Sequence, residues 1–125
     1  MSIADNKEVI RRFYDECWNT GNLDVIGTFV APSYREAYTD GMRSVRAGFP
    51  DLHWTLDELI AEGDRVVNRW TLRGTHRGEY AGIAPSGRAV NWPGVTIFQL
   101  VDGTIAGRAV FADLGELRRQ LGATG

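Results

Sequence analysis

The apolar spacing of this chain changes period once, near Leu52, and that change limits the folds open to it. Upstream, Val9, Ile10, Phe13, Tyr14, Cys17 and Trp18 recur at helical spacing. Downstream, LHWTLDELIAEG, DRVVNRWTLRGTH, RAVNWPGVTIFQLVDG and TIAGRAVFAD are rich in the β-branched and aromatic residues that strands favour. Helices followed by a meander of antiparallel strands is an α+β order. The expectation is one domain over residues 1–125, with a curved antiparallel sheet wrapped around N-terminal helices.

Local signals refine this. Asp5 with Glu8 three residues on reads as a helix start, and Gly21 as its left-handed end. Asn22 caps a second short helix carrying Leu23, Ile26, Phe29 and Val30, which Pro32 is expected to stop. A third helix is expected from about Asp40 to Ala47, before the Gly48-Phe49-Pro50 break. Gly63-Asp64 and Asp102-Gly103 read as hairpin turns, and RGEYAGIAPSGRAV as a long connection at the rim of the sheet. Strand alternation puts Asn68 and Trp70 inward, away from Arg69 and Arg73. Thr96, Phe98 and Leu100 share a face; on the last strand, Arg108, Val110 and Ala112 oppose Ile105, Ala109 and Phe111.

Several functions are disfavoured by composition. Net charge is -2, with 14 cationic residues against 16 acidic ones, so there is no basic footprint for nucleic acid or an anionic membrane. No apolar run approaches the roughly 18 residues a membrane span needs. The N-terminal MSIADNKEVIRRF lacks the apolar region of a signal peptide, so a cytoplasmic protein is expected. Cys17 is the single cysteine, which excludes an internal disulfide; His53 and His76 lie far apart, so no metal site is expected.

The stretches VIRRFYDECWNTGNLDVIGTFVAPSY, RWTLRGTHRGEYAGIAPSGR, GVTIFQLVDGTIA and LRRQLG resemble SnoaL-like polyketide cyclases, within the superfamily of nuclear transport factor 2 and ketosteroid isomerase. The resemblance covers nearly the whole chain. It implies a cone-shaped, cystatin-like α+β barrel with a deep apolar pocket, and a homodimer formed through the sheet. Ile97, Gln99, Arg69 and Thr71 would form the meeting face. This chain also departs from the family. Glu36-Ala37-Tyr38 stands where an Asp-His-Asp run is common, and about ten residues of loop and helix are missing before Phe49. Thr96 and Val110 take the positions of the pocket His and acid/base Asp of the aldol cyclases.

Tyr14 matches the phenol that ketosteroid isomerases use as an oxyanion donor, though it could equally be a core tyrosine. Glu36 is the candidate general base, or else a solvated glutamate. Asn68 could orient a carbonyl or satisfy a bulge. Arg108 would need an anionic partner inside the cone, and a one-residue slip would put it outside. Trp18, Tyr34, Tyr38, Trp54, Trp70, Tyr80, Phe98 and the pair Thr96 and Val110 are the expected substrate contacts; core packing is the alternative for each. The function expected is cofactor-independent cyclisation or isomerisation of an apolar small molecule of polyketide or related secondary metabolism, outside the standard aldol mechanism. The alternatives are a non-catalytic ligand-binding or assembly module and a structural dimer with a collapsed pocket.

Overall fold

The computed structural model describes residues 2–122. Helix α1 (Ile3–Phe13) is capped by Ser2 rather than by Asp5. The Ser2 hydroxyl accepts from the Asp5 N–H at 3.1 Å and the Asp5 carboxylate accepts from the Ser2 N–H at 3.2 Å. This reciprocal box needs a hydroxyl and an acid three residues apart, which Ser2 and Asp5 supply. The helix then widens into a π-helical turn, Tyr14–Trp18, where the Asn19 N–H reaches the Tyr14 carbonyl five residues back at 2.8 Å. That turn aims Asn19 at the first strand. Its side chain accepts from the Trp54 N–H at 2.8 Å and donates to the Trp54 carbonyl at 3.0 Å.

Gly21, at φ +74°, turns the chain into a 3₁₀ turn (Leu23–Val25) capped by Asn22, followed by α2 (Ile26–Phe29). Pro32 does not merely stop this element. It opens α3 (Pro32–Gly48), which begins eight residues earlier than the expected Asp40. Proline has no N–H to lose in the first turn, and its fixed φ suits that position.

Strands β1 (His53–Glu62), β2 (Arg65–Thr75), β3 (Ala89–Val101) and β4 (Thr104–Ala112) form one antiparallel sheet in sequence order. Positive φ at Gly63, Asp102 and Gly103 fits the two tight hairpins. Bulges interrupt the pairing twice, between Leu56 and Glu58 on β1 and opposite Gln99/Leu100 on β4. The second bulge changes the expected faces. Leu100 pairs with Ile105 but Gln99 with Gly107, so Ala106 is the extra residue, and Ile105 and Arg108 turn to the same, inner side. The core between sheet and helices includes Ile10, Phe13, Met42, Phe49, Phe98 and Ile105, all fully buried. Helix α4 (Leu114–Gln120), capped by Asp113, closes the chain against β3, where Gln120 clamps the backbone of Asn91. The result is the curved-sheet α+β fold expected from the sequence.

Candidate active site

Alternation on β2 and β3 brings bulky aromatic residues to the inner face of the sheet, and the π-helical turn supplies two more from the other side. Their rings meet mostly edge to face: Trp18–Trp54 at 5.1 Å, Trp54–Trp70 at 4.8 Å and Trp70–Trp92 at 5.7 Å. Tyr14 lies parallel to Trp18 at 6.4 Å and edge-on to Trp54 at 5.8 Å. The indoles therefore touch one another, yet they leave a cavity of about 130 Å³. Its walls are Tyr14, Trp18, Trp54, Trp70 and Trp92, together with Val45, Tyr80, Thr96, Arg108 and Val110.

The polar groups at this cavity are few. Thr96 accepts a hydrogen bond from the Trp70 indole at 2.9 Å, which fixes that ring. Burial, reinforced by the neighbouring Tyr38, holds the Tyr14 pKa well above its ordinary value, although Arg108, Asn68 and Thr96 pull it down. Tyr14 is therefore a neutral phenol, able to donate but not to act as a phenolate base. Asn68 lies behind the cavity wall, fully buried, and neither of its amide atoms has a hydrogen-bond partner of ordinary geometry. The Trp54 indole N–H is buried and unpartnered as well. Native structures pair almost all such groups; both are shielded from solvent, and Asn68 stands close enough to Tyr14 to favour its ionised form.

Not every predicted residue arrives here. Glu36 is exposed on α3, because the helix that starts at Pro32 carries it away from the cavity, and it cannot serve as the base within the cone. Tyr34 is half-buried and packs edge-on to Tyr38 at 5.8 Å without reaching the cavity. Tyr38 is buried one layer back, where its hydroxyl accepts from the Trp18 indole at 3.3 Å and its ring lies beneath Arg108. Phe98 is fully buried behind Tyr14, at 6.2 Å ring to ring. Trp92 and Val45 line the cavity but were not foreseen. Trp92 shares the Thr96 and Phe98 face of β3, so alternation could have found it; Val45 carried no comparable signal.

The family model for SnoaL-like polyketide cyclases matches residues 8–121. The chain belongs to the SnoaL-like polyketide cyclase family. It is similar to aklanonic acid methyl ester cyclase AcmA of Streptomyces galilaeus, with 31% identity over 136 residues, covering 96% of this chain and 92% of the relative. Among solved structures, TsrD from Streptomyces laurentii superposes with a TM-score of 0.91 at 30% identity, covering 99% of both chains. A candidate SnoaL-like polyketide cyclase from Jannaschia sp. CCS1 gives 0.89 at 28% identity, over 100% of this chain and 97% of that one. These relatives support a function of the polyketide cyclase type. Within this SnoaL-like chain, Thr96 and Val110 are paired across β3 and β4 and both border the cavity. They stand where the resemblance places the pocket His and acid/base Asp, so the cavity wall at that point offers a hydroxyl and an isopropyl group instead. Among the described residues, no cluster of His, Cys, Asp or Glu could hold a metal, and no helix is long and apolar enough to cross a membrane.

Proposed function

We propose that this protein is a cofactor-independent cyclase or isomerase acting on a small, largely apolar substrate, by a route that needs no carboxylate or imidazole from the enzyme. One observation carries the reading: the aromatic cavity is bordered by two phenols (Tyr14 and Tyr80), a threonine and one guanidinium, with no Asp, Glu or His among the described residues of its wall. An aldol closure needs a base for the proton alpha to a carbonyl and a donor for the oxyanion. Tyr14 can supply the donor. Neither Thr96 nor Val110 can take the proton at neutral pH. General acid–base help is worth roughly 10²- to 10⁴-fold, so the reaction favoured is one in which the walls fold the substrate and its own groups exchange the proton.

The test is turnover of aldol-type polyketide esters by the native protein and by Thr96→His combined with Val110→Asp. The native protein should be poor, and the double variant better. Strong native turnover would overturn the reading. For the preferred substrate, Tyr14→Phe should lower kcat by roughly 10²- to 10³-fold, the usual cost of one oxyanion donor.

The missing base also favours a second reading, a non-catalytic module that holds such a ligand. Saturable quenching of tryptophan fluorescence by a compound that the protein never converts would decide for it. The proposal extends to assembly. Phe111, 60% exposed, stands beside Val95 and Ile97 on the outer face of the sheet, a patch suited to a second copy about a twofold axis. Light scattering should give the mass of a dimer at micromolar concentration; a monomer would remove this part.

A further inference from the structure

Among the described residues, Arg108 is the only charged side chain in the cavity wall, and alternation from Val110 along β4 turns it inward. Its guanidinium carbon lies 3.9 Å above the centre of the Tyr38 ring, so one face of the group is spent on a cation–π contact. The N–H donors on its edge remain. Among the described residues no carboxylate comes within salt-bridge distance of it, whereas Arg12, Arg69 and Arg119 pair with acids at the surface. The Tyr38 hydroxyl stands close enough to engage one of the Arg108 donors, and the phenols of Tyr34, Tyr14 and Tyr80 are also near. A half-buried guanidinium without a counter-ion is costly, and the fold makes room for it: a methyl group at Gly41 on α3 would stand 3.0 Å from Arg108 Nη2. The cavity beside it, at about 130 Å³, compares with an engineered apolar cavity of roughly 150 Å³ in another protein that takes up benzene.

We propose that the ligand of this cavity is a molecule with one ring, or an equally compact apolar body, that carries a free carboxylate held edge-on by Arg108. A planar carboxylate matches the fork of the guanidinium, and an ester would leave its donors unpaired. The aromatic walls take the ring. This inference rests on the cavity being a ligand site, as proposed above, and adds the class of ligand.

The experiment uses the full chain and three probes: benzoate, methyl benzoate and toluene, each titrated against tryptophan fluorescence and by calorimetry. Benzoate should bind at least tenfold more tightly than methyl benzoate. Arg108→Met should abolish that preference while leaving toluene affinity within twofold, and Arg108→Lys should restore only part of it. Gly41→Ala, which crowds Nη2 from outside the cavity, should weaken benzoate severalfold and leave toluene unchanged. Equal binding of benzoate and methyl benzoate, or a preference that survives Arg108→Met, would overturn the inference and leave the cavity reading intact. Failure of all three probes to bind the wild type would defeat the cavity reading and this inference with it.

Discussion

Gly94 offers the sharpest test of how the aromatic wall is held. It sits directly opposite Trp70 across β2 and β3, and a methyl group added there would overlap the Cη2–Cζ2 edge of the indole and stand 2.9 Å from Cε2. Trp70 has little room to retreat. Trp54 and Trp92 pack edge-on against it, and its N–H is tied to Thr96 at 2.9 Å. Gly94→Ala must therefore both overpack the wall, at about 1–3 kcal/mol, and strain the buried hydrogen bond, at about 1–3 kcal/mol. The backbone at Gly94 does not have a positive φ, so alanine recovers about 0.5–1 kcal/mol through the unfolded chain. The net loss is about 1–5 kcal/mol. Unfolding entropy of about 2.1 cal/mol/K per residue over 125 residues gives about 0.26 kcal/mol/K, so Tm should fall by roughly 4–20 °C. Thermal unfolding followed by circular dichroism measures this directly. Combining Gly94→Ala with Trp70→Phe, which removes the overlapping ring edge, should make the alanine nearly silent relative to Trp70→Phe alone. A Gly94→Ala protein melting within 2 °C of the parent would refute the packing described for Trp70.

Other outcomes follow from the same geometry. Cys17 is buried and its thiol is pushed up to about 11 by desolvation, against a smaller opposing pull from Arg46, so thiol reagents at pH 8 should label it only after unfolding. The raised pKa values of Tyr14 and Tyr38, owed first to burial, mean that these phenols stay neutral in the fold while the unfolded chain ionises. Their contribution is complete below about pH 10 and is lost as pH rises beyond it, so urea unfolding should show stability dropping above pH 10, less steeply in Tyr14→Phe. His76 is fully buried, and its Nδ1 accepts from the Ser86 N–H at 3.1 Å and meets the Ser86 hydroxyl at 2.9 Å, tying down the loop that carries Tyr80. Ser86→Ala should speed amide exchange in residues 77–88 about fivefold, the equivalent of roughly 1 kcal/mol, without changing exchange in β2 and β3.

The inner faces of β2 and β3 were readable because an uninterrupted strand alternates strictly; Asn68, Trp70, Thr96 and Phe98 all point as the period requires. The edges of the sheet were less legible. Nothing in the residue types of Asp57 or Ala106 announces an extra residue, and the Ala106 bulge alone decides that Ile105 and Arg108 share a side. Pro32 was ambiguous because proline both follows one helix and begins another, and the fate of Glu36 turned on that choice. The cavity could not be read from spacing at all. Its volume depends on how four indoles tilt against each other, which is a property of their packing and not of their positions in the chain.

Asn19 has a role beyond the helix that ends at it. β1 lies at the edge of the sheet, where an outward row of N–H and C=O groups would offer a template to any extended chain. By bonding both the N–H and the carbonyl of Trp54, the Asn19 side chain imitates one peptide unit of a missing fifth strand. The extra residue in the π-helical turn is what rotates it into that position. A chain shortened by one residue in this turn would keep its helix but uncover the strand, and would be expected to self-associate edge to edge on standing, forming species that bind amyloid dyes.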